Sequence, residues 1–188
     1  ANEFERLAKE KGAEGLSFDT ILVSGKNSAL VHGKPSDKKI RQGDLVLIDF
    51  GCVYKGYRSD QTVTYGVGKL SNKAINIYET VREAQIQALN IIKPGVELIK
   101  PYKIAEEYIK SKGYEFVHGL GHGVGLQIHE QPNVSLSAKG IFQEGMVVTV
   151  EPGVYVENVG GVRIEDLIVV TKNGYKKLTS LPKGLEIL

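Results

Sequence analysis

Two aspartates, Asp49 and Asp60, lie eleven residues apart and are the first residues whose surroundings point to chemistry. Asp49 stands inside the most apolar stretch, Leu45 to Tyr54, where an ionised carboxylate is costly unless it is paired, hydrogen-bonded or bound to a metal. A two-residue turn at Lys55-Gly56 would place Asp49 opposite Thr62. The two aspartates are then diagonal neighbours on one sheet face. They repel each other unless a proton or a cation lies between them.

Two glutamates, Glu151 and Glu165, are fourteen residues apart and flank a second predicted hairpin. A three-residue loop centred on Asn158 places them opposite each other, with Arg163 two residues away on the same face. A bulge at Pro152-Gly153 would shift this register. Ordinary ion pairs are the alternative interpretation for all four acids. The candidate pairs are Asp60 with Arg58 or Arg41, and Arg163 with Glu151 or Glu165.

Three of the four histidines, His118, His122 and His129, fall in one glycine-rich segment. Its four glycines within seven residues make a regular helix improbable, which excludes the helical histidine pair of the zincin metalloproteases. In an extended segment His118 and His122 project to one face and His129 to the other, unless a bend intervenes. Three imidazoles beside a glycine run, with four acids elsewhere, favour a functional site over isolated structural histidines.

This combination of four carboxylates and an imidazole suits a pair of divalent cations, with carboxylates bridging them. Mn, Co, Zn and Fe all fit such a donor set. Two metals about 3.5–4 Å apart hold a hydroxide nucleophile at neutral pH and polarise a carbonyl group. Residue types and spacing therefore indicate a dinuclear hydrolase.

The secondary-structure elements that must position these residues occur in the same order in each half of the chain: helix, strand and hairpin. This order predicts an α+β fold of two related halves with antiparallel pairing. Ser71 is placed to cap a long helix that ends at Pro94-Gly95. The remaining predicted elements are a helix over 2–12, strands over 17–23 and 45–54, a hairpin strand over 57–65, a helix over 103–112, β-prone stretches over 114–128, 146–150 and 162–170, and a polar loop over 133–139.

The composition is that of one ordinary domain, with 188 residues, 41% of them hydrophobic and 24% charged, and a formal net charge of +2. We expect a single domain over residues 1–188 and no nucleic-acid-binding arm. The single cysteine, Cys52, excludes an internal disulfide, and no apolar run approaches the ~20 residues of a membrane span, which favours the cytoplasm. The chain opens at Ala1 without a signal segment and already in a helical pattern, so we expect a fragment.

Sequence motifs along nearly the whole chain resemble the catalytic domain of the prolidase and aminopeptidase P group. The motifs are Ser17-Phe18-Asp19-Thr20-Ile21, Ser24-Gly25-Lys26-Asn27-Ser28-Ala29, Val31-His32-Gly33, Gly43 to Gly51, Tyr57-Arg58-Ser59-Asp60, His118 to Leu126, Val150-Glu151-Pro152-Gly153 and Val162-Arg163-Ile164-Glu165-Asp166. The order and spacing of the acids and of the histidine follow the family pattern.

This resemblance implies the pita-bread fold, two related halves around a dinuclear metal site. The metal ligands it implies are Asp49, Asp60, His122, Glu151 and Glu165. Asp60 and Glu165 would bridge the ions, and Glu151 would also shuttle a proton from the bridging water. His32, His118 and His129 match substrate-side histidines that stabilise the tetrahedral intermediate, and Arg163 matches a residue near the substrate end.

The implied function is that of a metal-dependent exopeptidase, which hydrolyses the Xaa-Pro bond of dipeptides or of peptide N-termini through a metal-bridging hydroxide. Prolidases and aminopeptidases P usually carry a separate N-terminal domain that often helps them to form homodimers, and we expect residues 1–188 not to include it. Methionine aminopeptidase, which shares the fold and all five ligands, is the first alternative. A non-catalytic pita-bread module that binds peptides or proteins is the second. The motifs Ser17 to Ile21 and Ser24 to Ala29 favour the Xaa-Pro group.

Overall fold

The computed structural model describes residues 1–188, and its first half is built around an antiparallel sheet. The elements of this half are α1 (Asn2–Glu10), β1 (Gly15–Leu16), β2 (Ile21–Ser24), a 3₁₀ turn (Gly25–Ala29), β3 (Leu45–Phe50), β4 (Cys52–Tyr54), β5 (Tyr57–Arg58) and β6 (Gln61–Gly66). The strand order is β2-β3-β6 in the main sheet and β1-β4-β5 in its extension. Helix α1 packs on the sheet through Phe4, whose ring centroid lies 5.0 Å from that of Phe50.

The first hairpin has the register that the sequence predicts. Its turn residues Lys55-Gly56 have φ values of 50° and 77°, as a two-residue type I′ turn requires. Tyr54 pairs with Tyr57, and further along the ladder Asp49 pairs with Thr62. Asp49 therefore lies within β3 and Asp60 directly before the adjacent strand β6, so that the two candidate aspartates are diagonal neighbours on one face.

The second half is a five-stranded antiparallel sheet with an additional hairpin. Its strands are β7 (Gly121–Gly123), β8 (Glu130–Val134), β9 (Val147–Val150), β10 (Gly153–Val156), β11 (Gly160–Arg163), β12 (Asp166–Thr171) and β13 (Gly174–Lys177). The sheet order is β13-β12-β9-β7-β8, and β10 pairs with β11. The two candidate glutamates lie where β9 passes into β10 and where β11 passes into β12.

The register of the second hairpin also matches the prediction. Asn158 has a positive φ of 63° in the three-residue loop. On one side of the glutamates Gly153 pairs with Arg163, and on the other side Val150 pairs with Asp166. Both pairs belong to one continuous register, so no bulge shifts the strands between them.

Two helices, α2 (Asn72–Asn90) and α3 (Ile99–Ser111), cover the sheets. Helix α2 begins as predicted, because Ser71 Oγ accepts a hydrogen bond from the Ala74 amide at 3.2 Å. Its buried face includes Ile77 and Val81, each 0% exposed, which pack into the main core. None of the helices combines the length and the apolar character that a membrane crossing requires.

Several predicted boundaries are wrong. The strand predicted over 17–23 begins only at Ile21 and ends at Ser24. Helix α3 begins at Ile99 rather than at residue 103, since Pro101 lies in the first turn, where the missing amide hydrogen removes no helical bond. The β-prone stretch 114–128 forms only the short strand β7, and turns occupy 125–129. The polar loop predicted over 133–139 begins later, because β8 extends to Val134.

Candidate metal centre

Asp49 and Asp60 bring two buried carboxylates from the first half into one cavity. Asp49 lies within β3 and Asp60 directly before β6, and they are 9% and 5% exposed. Asp60 Oδ2 lies 3.5 Å from His122 Nε2. The surface pair with Arg58 does not form, because Arg58 Nη1 donates to the Ser17 carbonyl at 2.6 Å.

Glu151 and Glu165 bring two carboxylates from the second half to the same cavity. Glu165 is 1% exposed, and its Oε2 accepts a 2.7 Å hydrogen bond from Thr62 Oγ1 of the first half. Glu151 Oε1 accepts a 3.1 Å hydrogen bond from Thr149 Oγ1. The strand ends of both halves therefore meet at these acids.

His122 supplies the imidazole of the cluster from β7. Its Nδ1 lies 3.1 Å from the Gly123 carbonyl, so in the neutral ring Nδ1 carries the proton and donates there. This leaves the Nε2 lone pair facing the acids, with Glu151 Oε1 at 3.3 Å. Such an outer hydrogen bond is the usual way in which a metal-binding histidine is oriented.

The other three histidines line the same cavity, which has a volume of about 950 Å³ and also contains the four acids and His122. These are His32, His118 and His129. The His129 ring packs edge-on against His122, with ring centroids 4.4 Å apart. The bend that the sequence left open therefore occurs: the pairing of β7 with β8 shifts between His122 and Gly123, and the turns at 125–129 bring His129 back to the site. Burial lowers the pKa of both His118 and His129, which favours neutral rings.

Arg163 cross-links several parts of the site and is 3% exposed. Its Nη2 donates to Asp49 Oδ2 at 2.5 Å and its Nη1 to the Tyr155 hydroxyl at 2.8 Å. Nη1 also donates to the carbonyl of Val31 at 3.2 Å, and Val31 directly precedes His32. The ion pair of Arg163 is thus with Asp49, and not with either glutamate as the alternative interpretation proposed.

The donor set fits divalent cations. One ligand atom from each of Asp60, His122 and Glu165 lies within 4.8 Å of the others. Two buried carboxylate oxygens, Asp49 Oδ1 and Glu165 Oε1, have no hydrogen-bond partner, a situation that costs about 1–3 kcal/mol for each group. A cation between these acids would satisfy both oxygens. Oxygen donors with one imidazole suit hard or borderline divalent ions.

The raised pKa values of two of the acids also indicate that the site has too little positive charge to balance its carboxylates. Burial, with the negative charges of Asp49 and Glu151, raises the pKa of Asp60 to about 8. Burial and the neighbouring acids raise the pKa of Glu165 well above its ordinary value. For Glu151 burial acts in the same direction, but the hydrogen bond and charge of His122 outweigh it and lower the pKa.

The structure brings two further residues into the site that the sequence pattern did not identify, Thr62 and Tyr155. Thr62 donates to Glu165 and also accepts from Arg163 Nε at 3.2 Å. The predicted pairing of Thr62 with Asp49 was the sequence signal that could have identified Thr62 as part of the site. The Tyr155 hydroxyl lies 3.0 Å from His118 Nε2, and Tyr155 pairs across the hairpin with Gly161, which leaves room for its ring.

Residues 1–172 of the chain match the model of metallopeptidase family M24. The chain belongs to this family. The family is one of metal-dependent peptidases, so membership implies divalent metal ions, in agreement with the Asp60–His122–Glu165 cluster.

Relatives within the family include proteins named for Xaa-Pro cleavage. The Xaa-Pro dipeptidase of Pyrococcus furiosus is 50% identical over 187 residues, which are 98% of this chain and 54% of that protein. The solved prolidase of Pyrococcus furiosus superposes with a TM-score of 0.95 at 50% identity, over 97% of this chain and 55% of that one. The solved X-Pro aminopeptidase of Thermotoga maritima superposes with a TM-score of 0.96 at 42% identity, over 100% of this chain and 54% of that one.

These similarities confirm the predicted α+β pita-bread fold and the resemblance to the prolidase and aminopeptidase P group. They do not favour the methionine aminopeptidase alternative or the non-catalytic module. The chain spans about half the length of the relatives that it matches.

Proposed function

We propose that residues 1–188 form the catalytic domain of a metal-dependent exopeptidase that hydrolyses the peptide bond before proline. The observation that carries the proposal is the convergence of four carboxylates and His122 from both halves, with two buried oxygens that lack a hydrogen-bond partner. The Xaa-Pro specificity is supported by the relatives named Xaa-Pro dipeptidase, at 50% identity over nearly the whole chain.

The proposed metal site holds two divalent ions. Asp49, Asp60, His122, Glu151 and Glu165 are the residues that would hold them. When bound, the ions supply an activated water nucleophile and polarise the scissile carbonyl. Mn, Co, Zn and Fe remain the candidate metals, because carboxylate-rich sites accept several ions and availability often decides.

The residues around the ligands supply proton transfer and charge stabilisation. Glu151, which the family resemblance matches to the proton-shuttling residue, can accept the proton of the nucleophile through its carboxylate. It then returns the proton to the leaving nitrogen, which matters for proline because its tertiary amide must leave as an amine. His32, His118 and His129 line the same cavity. Burial favours the neutral ring of His129, which can offer an N–H to the developing oxyanion. His118 donates its Nδ1 proton to the Gly119 carbonyl at 2.8 Å and faces the Tyr155 hydroxyl with Nε2, so that hydroxyl and ring line the substrate side as one hydrogen-bonded pair.

We assign Arg163 to the substrate side because it fixes the loop that carries His32. Its bond to the Val31 carbonyl fixes the backbone next to His32, and its bond to Tyr155 continues to His118. Loss of Arg163 would therefore disturb Asp49 and two histidines together.

Hydrolysis of three peptides before and after metal removal tests this function. The peptides are Ala-Pro, Ala-Pro-Ala and Met-Ala-Ser, and the metal-stripped chain is measured alone and with Mn²⁺ or Co²⁺ added. Metal-restored cleavage before proline is the expected result, and the better proline peptide separates a dipeptidase from an aminopeptidase. Cleavage after methionine alone would support the methionine aminopeptidase instead. The absence of metal binding would support a binding module.

The cellular setting and the assembly are part of the same proposal. A cytoplasmic location agrees with the single cysteine, Cys52, which is free and half-buried. The resemblance to prolidases and aminopeptidases P also suggests a homodimer, and sedimentation velocity of the purified chain distinguishes it from a monomer.

A further inference from the structure

Gln85 is a buried polar residue in the middle of helix α2, and it lies directly behind the proposed metal site. It is 1% exposed, and the flanking helix residues Ala84 and Ala88 are 0% exposed. These small residues let the helix approach the strands closely. A buried glutamine in an apolar helix face is unfavourable unless its amide is hydrogen-bonded, so its contacts carry information.

The Gln85 amide bridges the two strands that carry the glutamates. Its Nε2 lies 3.0 Å from the Val150 carbonyl and 3.2 Å from the Ile164 carbonyl. It also lies 3.3 Å from Asp166 Oδ2. All three neighbours are acceptors, so the side-chain NH₂ must point toward them. Val150 directly precedes Glu151 in the sequence, and Ile164 directly precedes Glu165.

The bridge lies where the two strands separate from each other. The Glu151 amide donates to the Leu120 carbonyl at 2.8 Å, and the Glu165 amide donates to the Thr62 carbonyl at 3.0 Å. Each glutamate is therefore bonded to a different neighbouring segment. A long 3.4 Å bond from the Ile164 amide to the Pro152 carbonyl crosses this opening. Gln85 closes the opening from the helix side.

The third acceptor of Gln85 is itself firmly fixed. Asp166 is 0% exposed, and its Oδ2 accepts from Lys177 Nζ at 2.7 Å while its Oδ1 accepts from Thr179 Oγ1 at 2.7 Å. Lys183 Nζ lies 3.3 Å from Asp166 Oδ1 and donates to the Glu165 carbonyl at 2.7 Å. The Gln85 amide is thus held between two backbone carbonyls and an anchored carboxylate.

We propose that Gln85 is a positioning residue that sets the separation of Glu151 and Glu165, and thereby the affinity and the ligand field of the metal site. The inference rests on the proposed function, because it requires these two glutamates to bind metal. Outer residues that orient metal ligands typically change metal affinity or activity by about 10–100-fold when they are replaced.

A Co²⁺ titration of the metal-stripped chain, followed by visible absorption and calorimetry, tests this role. Gln85→Met keeps the length of the side chain and removes its donors, and we expect Co²⁺ to bind about 10–100-fold more weakly with a changed absorption spectrum. Gln87→Met is the matched control, because Gln87 lies on the same helix and bonds only to Glu83 at 3.0 Å. Its Co²⁺ affinity and spectrum should equal those of the unchanged chain.

The outcomes separate this inference from the proposed function. If the unchanged chain binds no Co²⁺, the proposed function fails. If it binds Co²⁺ and Gln85→Met binds with the same affinity and spectrum, Gln85 does not position the ligands, even where the variant unfolds at a lower temperature. If Gln85→Met does not fold, Gln85→Asn decides, since its shorter amide cannot span both carbonyls. Unchanged Co²⁺ binding in that variant would overturn the inference.

Discussion

At the residue scale, the site is defined by an excess of buried negative charge over positive charge. Asp49 is compensated by Arg163, but Asp60 and Glu165 have only hydrogen bonds and one imidazole near them. Folding brings these acids together although burial and their mutual repulsion raise the pKa of both. Such an arrangement is unfavourable by itself and becomes favourable when cations bind between the carboxylates.

Glu151→Gln is the sharpest test of a single residue. The substitution preserves size but removes the proton acceptor, so we expect the turnover number to fall by about 10²–10⁴-fold, the usual contribution of general acid–base catalysis. Steady-state kinetics with a proline peptide measures this, and circular dichroism verifies that the fold is retained.

Glu157→Gln is the matched control for that experiment. Glu157 lies in the loop of the same hairpin and is exposed to solvent, so its replacement should leave turnover unchanged. Near-normal activity of Glu151→Gln would contradict the proton-transfer role assigned to Glu151.

At the element scale, turn geometry explains why part of the site could be predicted from sequence. The turns at Lys55-Gly56 and Asn158 fix the count of residues on either side, so the placement of all four acids follows from counting. No such count exists for the segment from His118 to His129. Its path depends on a register shift and on turns, and the return of His129 to the site follows from those tertiary features.

The contact between Gly161 and the 3₁₀ turn illustrates what sequence could not supply. The Gly161 amide donates to Ser28 Oγ at 2.8 Å, and Ser28 Oγ lies 2.6 Å from the Gly25 carbonyl. A Cβ at Gly161 would overlap the Ser28 carbonyl oxygen. These residues are more than a hundred positions apart, so local pattern gives no sign of the contact. It fixes the turn that leads to Val31 and His32.

Gly161→Ala should therefore damage catalysis through the histidine loop. The turn must move away from β11, which would weaken the bond between Arg163 and Val31 and displace His32. We expect kcat/KM to fall at least about 10-fold, and overpacking to lower the free energy of unfolding by about 1–3 kcal/mol. Kinetics and urea unfolding measure the two effects.

Gly174→Ala is the control for this substitution. Gly174 begins β13, and a Cβ there would meet no atom within 4 Å. Its kcat/KM should match that of the unchanged chain. Equal kcat/KM values for the two alanine variants would show that the turn does not position His32.

At the scale of the whole molecule, the proposed ligands join the two halves. The aspartates come from the first sheet, and His122 with both glutamates comes from the second. Direct side-chain links between the halves at the site include Thr62 to Glu165 and Arg163 to Asp49, and these links involve the same acids. Bound metal therefore acts as a further cross-link between halves that the sequence pattern identified as related units.

Metal addition should raise the unfolding temperature of the stripped chain. A ligand that binds only the folded state at about 100 times its Kd contributes about 2.7 kcal/mol, which for a chain of this size corresponds to about 5–10 °C. Scanning calorimetry with EDTA and with Mn²⁺ measures the difference. An unfolding temperature that is the same in both conditions would contradict a metal-linked assembly of the two halves.

The same comparison across pH tests whether the buried acids are the ligands. In the metal-free protein the pKa of Asp60 is raised to about 8, so its contribution to stability is present at low pH and is lost as pH rises through that value. Metal binding has the opposite dependence, because the ligands must lose their protons before they bind the ion. The difference in unfolding temperature between Mn²⁺ and EDTA should therefore widen from about pH 6 to about pH 9, which lie below and above the pKa of Asp60 at about 8. Asp60→Asn should narrow this difference at every pH, whereas Asp37→Asn, at an exposed position outside the cavity, should leave it unchanged. A difference that stays constant over this range would mean that metal binds at groups other than the buried carboxylates.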